Sequence, residues 1–147
     1  MMFIHTWQQV MDGSKTITSR LQKPGEFLHT GVMNIETVFT KNGQHPKWQV
    51  GKSYAVQPAR TAKAIGRIQI TAIRAYDVRD ITADEARREG FQDIGDFWFT
   101  WVSMHDKSWL ETYRYAHDCD YLHEYGFYKR PEKHYSAWQL TFRLVTE

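Results

Sequence analysis

A single cysteine, Cys119, in 147 residues excludes an intramolecular disulfide and any zinc site built on several thiolates. Apolar runs are short as well. None approaches the roughly 20 residues of a membrane span, and the opening Met1-Met2-Phe3-Ile4-His5 lacks the basic leader and long apolar stretch of a secretory signal. Charge of one sign is also scarce: 19 Lys and Arg against 17 Asp and Glu leave a net charge of +2, too little for strong phosphate binding by bulk charge. Glycine-rich phosphate cradles are missing, and Pro58-Ala59-Arg60-Thr61-Ala62-Lys63 reads as a basic loop between strands. The expectation is one soluble α+β domain over residues 1–147, in a reducing, cytoplasmic setting, with no membrane partner and with its oligomeric state open.

What the chain has in quantity is aromatic side chains, 15% of the total with six tryptophans, and a local excess of base. Between Lys52 and Arg79 lie six basic residues (Lys52, Arg60, Lys63, Arg67, Arg74, Arg79) against one carboxylate, Asp77. Aromatic and basic residues together suit the stacking of single-stranded bases and equally suit a small mixed core.

The most informative run is Gly13-Ser14-Lys15-Thr16-Ile17-Thr18-Ser19-Arg20. A strand over 16–21 puts Thr16, Thr18 and Arg20 on one face and Ile17, Ser19 and Leu21 on the other. The Asp12-Gly13 turn then aims Lys15 toward Thr18, and a base beside a hydroxyl is the arrangement of an activated nucleophile. A solvated edge strand is the competing reading.

Around this run, residues 7–11 between Thr6 and Gly13 form a short helix. Turn signals at Pro24-Gly25, Gly31, Asn42-Gly43 and Pro46 surround a short strand at 32–39. Gly51-Lys52 turns into a strand at 53–56, which pairs antiparallel with a longer strand at 64–76 bulged at Gly66. Thr82-Ala83-Asp84-Glu85 is a capping box, so a helix starts at Thr82 and stops at Gly90. That leaves Glu89 in the last turn, where the negative end of the helix dipole disfavours a second negative charge. A further helix from Asp93 or Asp96 carries Phe97, Trp98, Trp101 and Met104 or His105 at helical spacing, a stripe read as core. Residues 109–131 give no clean period, and 137–145 close the chain as a strand. His117, Asp118, Cys119, Asp120 and His123 match no common metal spacing; neither a metal nor another cofactor is expected.

In this order, the Lys15 run, Gly51-Lys52-Ser53-Tyr54-Ala55-Val56, Ile68-Gln69-Ile70-Thr71-Ala72-Ile73, Ile81-Thr82 through Ala86, Glu89-Gly90-Phe91 and Phe97 to Trp101 resemble the ASCH domain family of the PUA-like superfamily. The resemblance implies a PUA-like β-barrel of mixed or antiparallel strands flanked by short helices, with a cleft for RNA or a nucleobase. It is similar to small bacterial amidohydrolases that deacylate N4-acetylcytidine without a metal or cofactor. Carried over, their catalytic lysine, threonine and glutamate are Lys15, Thr18 and Glu89. Arg20 is then a group for an oxyanion or phosphate; Thr16, Lys63, Arg67 and Trp98 are expected as further substrate contacts, Lys63 and Arg67 on phosphates and the tryptophan by stacking if RNA is bound. A nucleoside or single-stranded RNA is the implied partner. The alternatives are a non-catalytic RNA-binding module for a modified base or single strand and, with no dedicated signal, a ribonuclease. The chain departs from the small amidohydrolases by extra sequence at 21–50 and by the aromatic stretch 98–128.

Overall fold

The computed structural model describes residues 1–30, 35–41, 43, 45–115 and 130–145. Its elements in chain order are α1 (Trp7–Asp12), β1 (Ile17–Leu21), β2 (Phe27–Thr30), β3 (Glu36–Phe39), β4 (Pro46–Gln49), β5 (Ser53–Val56), β6 (Gly66–Asp77), a 3₁₀ turn (Val78–Asp80), α2 (Ala83–Arg88), α3 (Ile94–His105), α4 (Lys107–Tyr115) and β7 (Ser136–Val145). Two antiparallel sheets result, one in the order β1-β7-β6-β5 and one in the order β2-β3-β4. The expected α+β architecture with short helices is thus present, its strands among the described residues arranged in these two packed sheets. Their shared core is Val38, Ile70, Ile73, Trp138 and Leu140, with Leu28 and Trp48 packed against it. A second core places α2, α3 and α4 together through Ala86, Phe97, Trp98, Trp101, Val102 and Tyr113. A third joins Phe3 and Val10 to Val56, Ile68 and Phe142. No described helix is long and apolar enough to cross a membrane.

Several expected boundaries differ from the structure for identifiable reasons. Gly66 is not the bulge: it begins β6 opposite Val56, and a Cβ there would lie 2.9 Å from the Met11 side chain, so glycine serves close packing. The register instead shifts between Ile70 and Ala72, leaving Thr71 exposed with its hydroxyl donating to Thr141 O. The strand expected at 32–39 is described from Glu36, and β2 and β4 flank it as four-residue strands without clear alternation in their sequence. Lys107–Tyr115 is a helix where no period was legible; Trp109 and Leu110 pack with Tyr113 against the helical core. The cluster from His117 to His123 lies outside the described residues, and among the described residues no three His, Cys, Asp or Glu side chains gather as metal ligands.

The end of α2 fixes the functional region. Thr82 Oγ1 accepts from Glu85 N while the Glu85 side chain accepts from Thr82 N, closing the capping box. At the other end, Gly90 N donates to Arg87 O and Phe91 N to Ala86 O, the two bonds of a Schellman motif with Gly90 at φ 96°. Glu-Gly-Phe is therefore a helix stop that delivers Glu89. Replacing Gly90 by Ala forces a left-handed non-glycine residue and sets its Cβ 3.2 Å from Thr6 Cγ2. Gly90→Ala is expected to lower unfolding stability by about 1–3 kcal/mol in urea titration; an unchanged midpoint would contradict this role.

Candidate active site

Strand β1 is anchored at its entrance by three backbone bonds: Lys15 N to Gln9 O, Thr16 N to Arg88 O, and Phe142 N to Thr16 O. These bonds carry Lys15 to the carboxyl end of α2. There its ammonium donates to the backbone carbonyl of Glu89 and lies 3.3 Å from Glu89 Oε2. Both side chains are 3% exposed. An orphan helix-end carbonyl, the negative end of the helix dipole and a carboxylate thus converge on one cation. Burial lowers the Lys15 pKa below its ordinary 10.5, with Glu89 opposing the shift and Arg20 reinforcing it. Phe3 and Phe91 place their rings 6.0 Å from Nζ.

The other carboxylate oxygen, Glu89 Oε1, accepts from Ser19 Oγ at 2.5 Å, and Ser19 Oγ lies 2.5 Å from the Tyr76 hydroxyl. A donor chain from Tyr76 through Ser19 therefore occupies Oε1 and leaves Oε2 to Lys15. Burial, and next the Glu89 charge, raise the Tyr76 pKa well above the usual phenol range, so its proton is retained. Arg74 stacks 4.9 Å from the Tyr76 ring and is held by Glu85 and Gln139. Ser19 and Tyr76 escaped the sequence reading: alternation assigns Ser19 to the face opposite Thr18, and nothing local shows that Glu89 approaches from that side.

Thr18 and Arg20 lie on the other face of β1. Thr18 is buried. Arg20 donates from Nη2 to Met2 O at 2.8 Å and lies 5.1 Å from the Phe3 ring. Desolvation lowers its pKa to about 10, and its Nε is buried with no partner. Lys15, Thr18, Ser19, Arg20 and Glu89 all line one pocket of about 70 Å³. Its remaining walls are residues 2–6, Phe91, and Phe97, Thr100, Trp101, Met104 and His105 of α3. Burial, then Arg20, depress the His105 pKa, which keeps that ring neutral beside Trp101.

The structure therefore brings together Lys15, Thr18, Glu89 and Arg20, and places the other four expected contacts elsewhere. Thr16 accepts from Arg88 Nε at 3.0 Å, outside the pocket lining. Lys63 is exposed in the β5–β6 connection, and Arg67 is exposed on β6, donating to Ser53 O. Trp98 is buried in the helical core with Nε1 donating to Val78 O; Phe97 and Trp101, on the same helix, face the pocket instead. The expected orientation of Lys15 also changes, since its ammonium is bound by Glu89 rather than by Thr18.

The fold is similar to that of a solved ASCH domain. No protein-family model and no curated protein matches the sequence. Among solved structures, the chain is similar to protein EF3133 from Enterococcus faecalis, described under the family model DUF984, with a TM-score of 0.54 and 18% identity over 95% of this chain and 66% of that one. It is also similar to an ASCH domain from Lactobacillus crispatus, with a TM-score of 0.52 and 17% identity over 96% of this chain and 70% of that one. The chain thus spans just under two thirds of the Enterococcus protein's length. At these identities the likeness is one of fold.

Removing one member of a buried ion pair leaves the other charge unpaired away from water. Lys15→Met is expected to cost about 3–5 kcal/mol of unfolding free energy, while Lys15→Met/Glu89→Leu restores most of the loss. Urea denaturation of the single and double variants measures this; strictly additive losses would dissolve the pair as a unit.

Proposed function

We propose that the pocket binds a pyrimidine nucleoside, free or in a flexible single strand of RNA, and that the protein is a metal-independent amidohydrolase removing the acyl group from an N4-acylated cytidine. The observation carrying this reading is the convergence of Lys15, Thr18 and Glu89 on one buried, aromatic-walled pocket, although 74 residues separate Lys15 from Glu89. Moving the shared proton from Lys15 Nζ to Glu89 Oε2 converts the ion pair into an amine and a carboxylic acid without changing net charge. That single shift supplies a base and an acid together. Thr18 Oγ adds to the acyl carbon as its proton passes to the Lys15 amine, and the ammonium so formed stabilises the developing oxyanion. The amide C–N bond then breaks as Glu89 gives its proton to N4, leaving an ester on Thr18. Water attacks that ester, Glu89 takes the water proton, and Lys15 returns a proton to Thr18 Oγ. The carboxylic acid is released and the pair regains its starting proton count.

A second reading rests on the engagement of Lys15 by Glu89 instead of Thr18: the pair then serves to charge and shape a pocket that holds a modified base without reacting. The assay that separates the two is release of cytidine from N4-acetylcytidine, followed by chromatography in the presence of a chelator. Lys15→Ala, Thr18→Ala and Glu89→Gln are each expected to lower kcat/KM by about 10²–10⁴-fold. Because the pair must keep its one shared proton and burial lowers the Lys15 pKa, the rate is expected to fall with rising pH along a limb centred below 10.5. Nucleoside binding by the folded protein without turnover would select the binding reading.

A further inference from the structure

Among the described residues β1 is the edge of its sheet, bonded to β7 on one side only. The phase of its ladder follows from the bonds at its two ends. Phe142 N donates to Thr16 O and Gln22 N to Ser136 O, so the even-numbered residues of β1 form the hydrogen-bonded pairs with β7. Ser19, opposite Gln139, sits in a non-hydrogen-bonded pair, which turns its backbone N–H and C=O away from β7 toward the open edge. Neither group has a partner among the described residues, and Ser19 lines the pocket between Thr18 and Arg20.

Two more unpaired donors belong to residues of the same pocket wall. Arg20 Nε and Trp101 Nε1 are both buried and make no hydrogen bond. Buried donors without partners are rare in folded proteins, because each forfeits its hydration without compensation. Their concentration around one concavity marks where a ligand supplies the missing acceptors. The Ser19 side chain is already committed to Glu89, so what this residue has left to offer a ligand is its backbone.

We propose that the open edge of β1 reads the ligand: Ser19 C=O accepts from an exocyclic N–H, Ser19 N–H donates to the adjacent ring nitrogen, and Arg20 Nε donates to a ring carbonyl. This rests on the nucleobase reading above and states how the base is held. The chemistry matches an N4-acylated cytosine, whose edge carries an N–H at N4, an acceptor at N3 and a carbonyl at C2. It is the pairing by which extended peptides add to a sheet edge, performed here by a planar heterocycle. Phe91 and Trp101 supply faces for stacking. Because Ser19 Oγ holds Glu89, the same residue sets the distance between the base and the carboxylate that would protonate N4.

The test compares N4-acetylcytidine with N4-acetyl-3-deazacytidine, which lacks the N3 acceptor, by calorimetry on the Thr18→Ala protein so that no substrate is consumed. The deaza analogue is expected to bind about tenfold more weakly, the effect of one hydrogen bond. Added Ser19→Pro is expected to erase the difference, whereas Ser19→Ala, which keeps the N–H, retains it. In ¹⁵N-labelled protein with the natural Ser19, its amide proton is expected to move downfield on adding N4-acetylcytidine, a readout that does not depend on the proline variant folding. N4-acetylcytidine binding with the Ser19 amide unmoved and both analogues equal overturns the edge and leaves the nucleobase site standing. Absence of binding by any pyrimidine nucleoside overturns both.

Discussion

A lysine and a glutamate withdrawn together from water form the constraint on which the rest of this structure turns. Each charge alone would carry a desolvation penalty of several kcal/mol, and the two offset one another only if their geometry is held. The fold supplies that geometry through backbone bonds. Lys15 is fixed by the exit from α1 and by Thr16 N on Arg88 O, and Glu89 by the helix stop at Gly90-Phe91. Ser19 and Tyr76 then occupy the second carboxylate oxygen, so the pair has one orientation.

This arrangement links stability to chemistry. Lys15 Nζ and Glu89 Oε2, 3.3 Å apart, form a buried ion pair, and both residues line the pocket. Arg20 adds a positive charge that no carboxylate pairs directly, its Nη2 being satisfied by a backbone carbonyl alone. The pocket thus has a net positive interior with unpaired donors, and aromatic walls from the N-terminal segment, Phe91 and α3. Such a lining favours a planar ligand rich in acceptors over an extended polyanion. Lys63 and Arg67 are exposed and lie outside the pocket lining.

Much of the candidate site was legible before any tertiary information. The Lys15 run, the capping box at Thr82 and the Glu89-Gly90-Phe91 stop are local signals, because turns, caps and helix ends are decided by hydrogen bonds between residues only a few positions apart. Strands β5, β6 and β7 were legible for the same reason, each carrying β-branched or aromatic alternation between turn residues. Strands β2 and β4 and helix α4 were not. Phe-Leu-His-Thr in β2 and Pro-Lys-Trp-Gln in β4 carry no clear alternation to read, and Trp109, Leu110 and Tyr113 become a helical face only when the helical core gives them something to cover.

The sequence by itself determined the residue types of the site and the local stops that present them, since conformational preferences of Gly13, Gly90 and Thr82 act within a few bonds. Tertiary structure alone decided which aromatic of α3 faces the pocket, Trp101 and not Trp98, because that depends on how the helix is rotated against Val78. It also decided that Lys15 meets Glu89 in preference to Thr18, and that Ser19, on the nominally opposite face of β1, reaches the same carboxylate. Alternation along a strand says which face a side chain takes; only the placement of the carboxyl end of α2 beside β1 says what waits there.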